Sequence, residues 1–503
     1  MKGKVHQAIA FFVIAVFTSV INVSAGNIVY PWRAFKSIVQ QDGNLIILYN
    51  NVGAGYIDSV LLEGPYNRVA LEIDSVVFGR FEYDSYSNAS VNNKIHVHVP
   101  SGTPEELYSL VVKSSGETHT SNKSVKVVRE FKENHSFIHI SDLHISRNWE
   151  GTVECGYAKE LELFDNFVKV ANIIAPDFIL NTGDNIHETT RFNPDSTGWG
   201  GDLNSELSQR PLIEEKWKNF YEGAGGFSGI HGLNAPVFSI PGNHDYYGMP
   251  KSESKLKVIQ WNNMCGLRVY GFSYGDTRII MADNCIGSPD DDYPLGAPMS
   301  GLEGKVFESF FKENGVGKIN IMGQHRYHDK LDDGLLIDTA FLDKYKINML
   351  LHGHYHEPFH EYIGATPTLG TRPGTVSKSG YRDYENELGF FRIFRINGSS
   401  FEFSEPIRFI KDPIVPYDEM ELNLTLDYSS PNDGSATGNT AIIKNDLNIM
   451  LPDSHIRFIM KKGKYKVSTG RISQVIESGN FSVVDVRVDI NPLAKNEVKI
   501  TKQ

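Results

Sequence analysis

The chain of 503 residues is too long for one ordinary domain, because domains average about 150 residues, so two to three domains are expected. Apolar residues make up 40% of the sequence, which excludes disordered and fibrous proteins. The formal net charge of -12 would repel nucleic acid and anionic lipid. No nucleic-acid partner is therefore expected, and an anionic substrate would need a locally positive site.

The first 25 residues have the features of a secretion signal peptide. Two lysines within the first four residues precede an apolar run over residues 8–17, and small residues follow at positions 23–25. We predict cleavage after Ala25 and a secreted, extracellular or cell-surface protein; an uncleaved N-terminal anchor is the less favoured alternative. No other segment approaches the ~20 apolar residues of a membrane-spanning helix, so none is expected after cleavage.

The cysteine content does not decide whether the protein contains a disulfide. Cys155, Cys265 and Cys285 are too few for a disulfide framework. One Cys265–Cys285 bridge in an oxidising compartment and three free thiols are both compatible with the sequence.

Residues 26–132 have the pattern of a β-sandwich. Short apolar runs with turn residues between them follow at strand spacing. In the run Lys94–Val99 the apolar residues alternate with His96 and His98, so both histidines should face solvent; a surface metal site is the much weaker alternative. We predict an immunoglobulin-like or fibronectin-like domain of this length, without chemistry of its own.

Strand-like runs alternate with helical segments over residues 133–410, which is typical of a layered α/β domain. Helices are predicted over residues 158–174 and 302–312, and a hairpin is predicted around Gly275-Asp276. From residue 411 to 503 the pattern is again one of short strands, which predicts a second, C-terminal β-sandwich domain.

Five short polar clusters of the α/β region each follow a predicted strand, where open α/β sheets place their ligands. The clusters are Ser141-Asp142-Leu143-His144, Gly183-Asp184-Asn185-Ile186-His187-Glu188, Gly242-Asn243-His244-Asp245, Gln324-His325 and Gly353-His354-Tyr355-His356. Each cluster alone is a weak signal. All five in order, each after an apolar run, predict one shared site.

The residue types in these clusters predict a pair of divalent metal ions. Carboxylate, imidazole and amide oxygen ligands match Mn, Zn or Fe, and no thiolate is required. Two ions about 3.5–4 Å apart can clamp the attacking and leaving oxygens of a phosphoryl transfer and lower the pKa of bound water. Such a centre would supply the positive charge that the chain as a whole lacks.

The clusters resemble the motifs of the calcineurin-like metallophosphoesterase family, D-x-H, G-D, G-N-H-(D/E), H and G-H-x-H, over about residues 135–380. The resemblance implies a four-layer αββα core between the two flanking β-domains. It also implies that Asp184 bridges two metals, that His244 protonates the leaving oxygen, and that Asp245 is a candidate to orient the His244 ring. The implied ligands are Asp142, His144, Asp184 and His356 for one metal, and Asp184, Asn243, His325 and His354 for the other.

One branch of this family is a poorer match. Purple acid phosphatases also carry an N-terminal β-sandwich, but they have a tyrosine where this sequence has His187, and they lack the D-x-H histidine that is present here as His144. A tyrosinate-bound ferric ion is therefore not implied.

Three further side chains are weaker candidates for the site. His328 competes with His325 for the ligand role, and His325 is preferred because it follows the strand directly. Arg372 and Arg382 follow the last cluster and could hold a substrate phosphate, but ordinary surface positions are at least as well supported.

The sequence as a whole predicts a secreted dimetal phosphoesterase, in which metal-bound hydroxide attacks phosphorus in line and His244 serves the leaving group. Phosphomonoesterase, phosphodiesterase and nucleotidase activities are not distinguished. The alternative is an exported surface or adhesion protein with a non-catalytic phosphoesterase-like domain. The two flanking β-domains are expected to be dispensable for chemistry, because every candidate ligand lies between Asp142 and His356.

Overall fold

The computed structural model describes residues 27–51, 56–84, 87–145, 160–186, 206–246, 254–285, 302–326, 339–371, 374–375, 389–412 and 419–503. Several sequence-based candidates lie outside the described residues: the signal segment, Cys155, His187, His328, Arg372 and Arg382. Among the residues it does describe, no helix has the length and apolar character needed to cross a membrane.

The N-terminal region forms eight strands that hydrogen-bond in the order β1-β3-β6-β5-β4-β7-β8-β2. Their bounds are β1 (Asn27–Tyr30), β2 (Ser37–Gln40), β3 (Asn44–Asn50), β4 (Ile57–Glu63), β5 (Arg68–Asp84), β6 (Ala89–His98), β7 (Leu107–Ser114) and β8 (Glu117–Val128). Ile95 and Val97 of β6 are fully buried, whereas His96 and His98 are partly exposed, as the alternation predicts. The His98 ring contacts the side chains of Asp42 and Asn44. The immunoglobulin-like or fibronectin-like topology stays a prediction.

The described residues of the central region form two six-stranded sheets, one two-stranded sheet and five α-helices. The first sheet has the order β13-β10-β9-β20-β21, with β22 paired to β20, and the second has the order β14-β15-β16-β17-β19-β18. The bounds are β9 (Asn134–Ile140), α1 (Glu160–Ile174), β10 (Phe178–Asn181), α2 (Glu206–Glu222), β11 (Gly223–Ala224), β12 (Phe227–Ser228), β13 (Val237–Ser239), α3 (Ser254–Met264), β14 (Tyr270–Tyr274), β15 (Thr277–Ala282), α4 (Leu302–Asn314), β16 (Ile319–Gln324), α5 (Thr339–Lys344), β17 (Met349–His352), β18 (His360–Ile363), β19 (Thr366–Gly370), β20 (Phe390–Asn397), β21 (Ser400–Phe403) and β22 (Ile407–Arg408).

The two sheets pack face to face and carry helices on their outer sides. Successive residues of a strand point to opposite faces. Phe178 and Leu180 of β10 and Met349 and Leu351 of β17 therefore enter one apolar core between the sheets. Residues of the opposite parity pack outward: Ile179 joins the core under α1, and Leu350 joins the core under α4 and α5. The layers are helix, sheet, sheet and helix, the order that the family resemblance implies.

The C-terminal region forms one four-stranded sheet, β23-β24-β29-β26, and one three-stranded sheet, β25-β28-β27. The bounds are β23 (Leu424–Tyr428), β24 (Gly438–Asn445), β25 (Leu451–Lys461), β26 (Tyr465–Val467), β27 (Arg471–Ser478), β28 (Phe481–Ile490) and β29 (Ala494–Lys502).

Helix α1 joins the core to the C-terminal strands. It contacts β23 and β25, and its buried residues occur nearly all round the helix. Leu163 and Phe167 of α1 belong to the same apolar cluster as Leu424 and Ile456 of the C-terminal strands. The packing therefore argues against an independently folded core, because removing the C-terminal strands would expose apolar surface of α1 to water.

The two described cysteines are free and buried. The structure thus has Cys265 and Cys285 as separate thiols, and the alternative of a bridge between them is not what the fold contains.

Candidate metal centre

The five polar clusters meet at one edge of the core. The strands β9, β10 and β13 of the first sheet, and β16 and β17 of the second, present their carboxyl ends at this edge. Three overlapping groups of side chains there have potential ligand atoms within 4.8 Å of one another. The groups are Asp142, His144 and His356; His144, Asp184 and His244; and Asp184, His325 and His354.

The first group is built on the loop after β9. Nε2 of His356 lies 3.1 Å from Oδ1 of Asp142, and Nε2 of His144 lies 3.9 Å from the same oxygen. Nε2 of His144 also lies 3.5 Å from Oδ2 of Asp184. Asp142 and His144 are fully buried. These four residues are the set that the family resemblance implies for one metal.

The group of Asp184, His325 and His354 converges on Nε2 of His325. This atom lies 3.2 Å from Oδ2 of Asp184 and 2.9 Å from Oδ1 of Asn243. The other ring nitrogen, Nδ1, lies 2.7 Å from the carbonyl oxygen of Thr182 and donates its proton there, which leaves the Nε2 lone pair for a cation. His354 completes the group, so the second implied ligand set is also brought together.

The oxygen atoms close to His325 affect the pKa of its ring. Burial would lower the pKa of the His325 ring, but the Asp184 carboxylate raises it to about 9. The carboxylate therefore favours a positive charge at this position. A proton and a metal ion compete for such a position, because ligands must be deprotonated to bind metal.

Asp184 occupies the centre of the whole arrangement. Its Oδ2 atom faces both His144 and His325, and its Oδ1 atom accepts the backbone N–H of His244 at 2.8 Å. Burial alone would raise the pKa of this carboxyl, but His325, His244 and His144 hold it well below its usual range. Asp184 is therefore ionised, as a ligand shared between two cations has to be.

The backbone is left-handed at five of the eight predicted site residues. The φ angles are 56° at Asp142, 44° at His144, 51° at Asp184, 74° at His354 and 55° at His356. Positive φ is uncommon outside glycine, and each such residue costs on the order of 1–3 kcal/mol. Strain of this kind concentrates at functional sites, where the surrounding structure holds it in place.

Two glycines allow the loops to approach the ligands closely. A Cβ atom at Gly242 would overlap both Oδ1 and the backbone N of Asp184. A Cβ atom at Gly353 would overlap the Ser141 hydroxyl and lie 2.6 Å from Oδ2 of Asp142. Glycine is therefore required in the third and fifth clusters because a side chain would occupy the space of the candidate ligands.

Asp245 ties two of the loops together. Its carboxylate accepts the backbone N–H of Gly242 at 2.7 Å, that of Ile186 at 3.0 Å, and both the backbone and side-chain N–H groups of Asn185. Burial, with the Asp184 charge nearby, raises the pKa of Asp245 to about 7. These contacts assign Asp245 to loop positioning, in place of the expected contact with the His244 ring.

His244 belongs to the group with His144 and Asp184 and is partly exposed. Its ring packs edge-on against the His144 ring, with centroids 4.5 Å apart. Burial lowers the pKa of His244 to about 4, although Asp184 acts in the opposite direction. The ring is thus positioned to face a substrate bound at the metal centre.

Sequence reasoning missed Arg326 and the residues that hold its loop. Nη2 of Arg326 lies 3.2 Å from Nε2 of His354. The available signal was its position directly after His325, at the end of β16. The arginines that were considered, Arg372 and Arg382, lie outside the described residues.

The geometry above matches a known family pattern. The sequence model of the calcineurin-like phosphoesterase family matches residues 135–358. The chain carries a calcineurin-like phosphoesterase domain. The carboxyl ends of the five strands at the site, and all eight predicted site residues, lie within the matched residues.

Solved structures with similarity to this chain include three from different organisms. A conserved protein of Streptococcus pneumoniae TIGR4, described as a predicted phosphoesterase, is 14% identical, with 54% of this chain and 87% of that chain covered and a TM-score of 0.22. GAP50, described as the anchor in the inner membrane complex of Plasmodium, is 12% identical, with 58% and 87% covered and a TM-score of 0.30. Vps29 of Entamoeba histolytica in complex with zinc is 10% identical, with 54% and 98% covered and a TM-score of 0.21. No curated protein matches the sequence.

The phosphoesterase domain has a donor set that suits divalent metals. Carboxylate oxygens, imidazole nitrogens and one amide oxygen are the ligand types that Mn, Zn and Fe accept. The ring nitrogen of His325 that faces Asp184 is the one whose lone pair is kept available by the Thr182 carbonyl. Asp184 stands between the two groups, within 3.5 Å of a histidine from each.

Proposed function

We propose that the protein is a phosphoester hydrolase with two divalent metal ions. The observation that carries this proposal is the position of the buried, ionised Asp184 between two sets of neutral or acidic ligands. Asp142, His144 and His356 would complete one ion's ligands, and Asn243, His325 and His354 the other's. None of the seven ligands is lost, which favours an enzyme over an exported surface protein with a non-catalytic domain.

The ions, when bound, would neutralise the phosphate oxygens and activate a water molecule for attack on phosphorus. The protein side chains contribute binding, orientation and proton transfer. Nε2 of His325, which faces Asp184 and Asn243, must be deprotonated to bind a cation. His244, beside the ligands, is placed to donate a proton to the departing ester oxygen. The negative charge of a bound phosphate would favour the protonated ring, against the burial that lowers its pKa to about 4.

We further propose that the protein is secreted. The support is the sequence of the first 25 residues, with its basic start, apolar run and small-residue end. N-terminal sequencing of protein recovered from the medium or cell envelope tests this, and a chain that retains Met1 in the cytoplasm would refute it.

The test of the enzymatic function combines metal content with turnover. The purified protein should contain two divalent ions per chain by elemental analysis, and it should hydrolyse a chromogenic phosphate ester. Chelation should abolish turnover, and Mn²⁺ or Zn²⁺ should restore it. A protein that loads two ions and hydrolyses neither monoesters, diesters nor nucleotides would favour the surface-protein alternative.

A further inference from the structure

A cavity lies where the N-terminal sheet, the core and the C-terminal strands meet. Its volume is about 170 Å³, whereas one ordered water molecule needs about 10–15 Å³ of such space. Asp177 and Asn234 line it and lie just before β10 and β13. The cavity is therefore at the amino ends of these strands, the edge opposite the candidate metal centre, and it has room for a small ligand.

One wall of the cavity is a row of basic side chains on the C-terminal three-stranded sheet. Arg487 of β28 lies between His455 of β25 and Arg471 of β27 in the register of these strands. All three residues line the cavity. Neighbouring strands are only ~4.8 Å apart, and like charges directly opposite one another destabilise a sheet. Arg487 and Arg471 therefore concentrate positive charge on this wall.

Most of the carboxylates that line the cavity already have a cationic partner. The pairs are Asp485 and Glu106 with Arg457, Asp177 with Lys132, and Asp453 with Arg471. Glu105 accepts the backbone N–H of Arg129 at 2.8 Å, and Glu130 is exposed. These pairs use three of the six lysines and arginines of the lining.

Lys126 and Arg487 are two cations of the lining without a carboxylate partner. The Lys126 ammonium, on β8 of the N-terminal sheet, forms no hydrogen bond or ion pair with any residue that the structure describes. Among the same residues, the Arg487 side chain donates one hydrogen bond, from Nη1 to the carbonyl oxygen of Asp453 at 3.1 Å. Burial lowers the pKa of Lys126, Glu106 acts in the opposite direction, and the Arg487 charge lowers it further. Two positive charges from different parts of the chain thus face one cavity.

We propose that the cavity binds a dianionic tetrahedral oxyanion, of the phosphate or sulfate type, between Lys126 and Arg487. The two negative charges of such an ion match the two cations that lack a carboxylate partner. A guanidinium group binds two oxyanion oxygens in a bidentate manner, and an ammonium group binds as a point charge. The bound ion links β8 of the N-terminal sheet to β28 of the C-terminal strands. The proposal is independent of phosphoester hydrolysis, since the cavity and the candidate metal centre lie at opposite edges of the first core sheet.

The test titrates full-length, metal-depleted protein with inorganic phosphate and with sulfate by calorimetry. Metal depletion removes any phosphate binding that needs the metal ions. We expect the wild type to bind one oxyanion per chain, and Lys126→Met and Arg487→Gln each to weaken binding by ~10–100-fold. The control Lys495→Gln, which removes an exposed pair with Glu497, should leave binding unchanged. Glycerol phosphate is titrated alongside: tighter binding than that of inorganic phosphate would identify a phosphorylated small molecule as the ligand, and weaker binding the free ion.

Thermal unfolding separates a ligand site from a structural role of Lys126. In phosphate-free buffer, Lys126→Met should melt at or above the wild-type temperature, because the substitution removes a partly buried charge that has no partner. Phosphate should raise the melting temperature of the wild type, since it binds the folded state, and leave that of Lys126→Met nearly unchanged.

Three results would each overturn the proposal: equal phosphate affinity in the wild type and Lys126→Met, phosphate binding that requires Mn²⁺, or a lower melting temperature of Lys126→Met in phosphate-free buffer. A chain that binds phosphate through Lys126 but hydrolyses no phosphate ester would refute the proposed function alone.

Discussion

Asp84, at the end of strand β5 in the N-terminal sheet, and Arg268, just before β14 of the core, form a buried ion pair with an Nε–Oδ2 distance of 2.7 Å. The side chains are only 3% and 2% exposed. Nη1 of Arg268 also contacts Oδ2 of Asp283 at 3.0 Å, and the Tyr246 hydroxyl donates to the same oxygen at 2.8 Å. Tyr246 directly follows the cluster that contains Asn243 and His244. The N-terminal sheet is therefore connected to a candidate metal-binding loop.

We expect Arg268→Met to destabilise the protein by about 3–5 kcal/mol, because it removes the guanidinium that contacts both buried carboxylates, Asp84 and Asp283. The matched control is Arg395→Met, which removes an exposed pair with Glu402 and should cost about 1 kcal/mol or less. Urea unfolding measures both. Equal unfolding midpoints for the two variants would show that the buried pair does not hold the N-terminal sheet to the core.

The connection between Asp84 and Arg268 has no signature in the sequence. The two residues are 184 positions apart, and neither lies in a motif. Helix α1 and the ligand clusters were predictable because their signals are local: α1 has an apolar stripe, and the site clusters each follow an apolar strand. Helix α2 was missed because Pro211 falls in its interior, where proline normally argues against a helix.

The contrast between local sequence patterns and contacts between distant residues also explains which features of the site could be predicted. The residue types and their order indicated which side chains would meet, because strand ends of an α/β sheet share an edge. The contacts of Asp245 with neighbouring loops and of Arg326 with His354 join residues far apart in the chain, and a one-dimensional pattern does not contain that information. The dispensability of the C-terminal strands was an inference from ligand positions alone and ignored the packing of α1.

Truncation to residues 133–410 should therefore give a poorly folded protein. The apolar residues of α1 that share a cluster with Leu424 and Ile456 would face water. We expect strong binding of an apolar fluorescent dye and aggregation, measured by fluorescence and light scattering. The point variant Leu424→Ala should cost about 2–5 kcal/mol, whereas Val475→Ala, at a position 47% exposed, should cost little. A soluble, dye-negative truncated core would contradict this account.

Gly242→Ala should disrupt the site without a large change in the rest of the fold. The added Cβ would overlap the backbone and carboxylate of Asp184, so the loop has to move away from the ligands. We expect loss of metal by elemental analysis. Gly438→Ala is the matched control, since its added Cβ meets only a carbonyl oxygen at 3.4 Å. Full metal content in Gly242→Ala would mean that this close approach is not required.

Asp184→Asn should remove metal and activity together. The substitution keeps the size of the side chain but removes the charge that faces histidines of both ligand groups. Asp276→Asn, at an exposed turn, is the control. Two ions per chain with a near-normal rate in Asp184→Asn would refute the bridging role.

Chelation of the wild type should lower its melting temperature. A ligand that binds only the folded state stabilises it by about 2.7 kcal/mol at a concentration of 100 times its Kd. The Asp184→Asn variant provides the control, because chelation should leave its melting temperature unchanged. If the wild-type melting temperature is also unchanged after metal loss has been verified, the cations are not part of the folded state.

His244→Asn should retain both ions and lower turnover by the ~10²–10⁴-fold that accompanies loss of a general acid. The reason is that Asn243 beside it supplies the amide oxygen near His325. The exposed His360 provides a control as His360→Asn. The deficit should shrink for a nitrophenyl ester relative to an alkyl ester, because nitrophenolate departs without protonation. An equal deficit for both esters would assign His244 to phosphate binding, and loss of an ion would place it among the metal ligands.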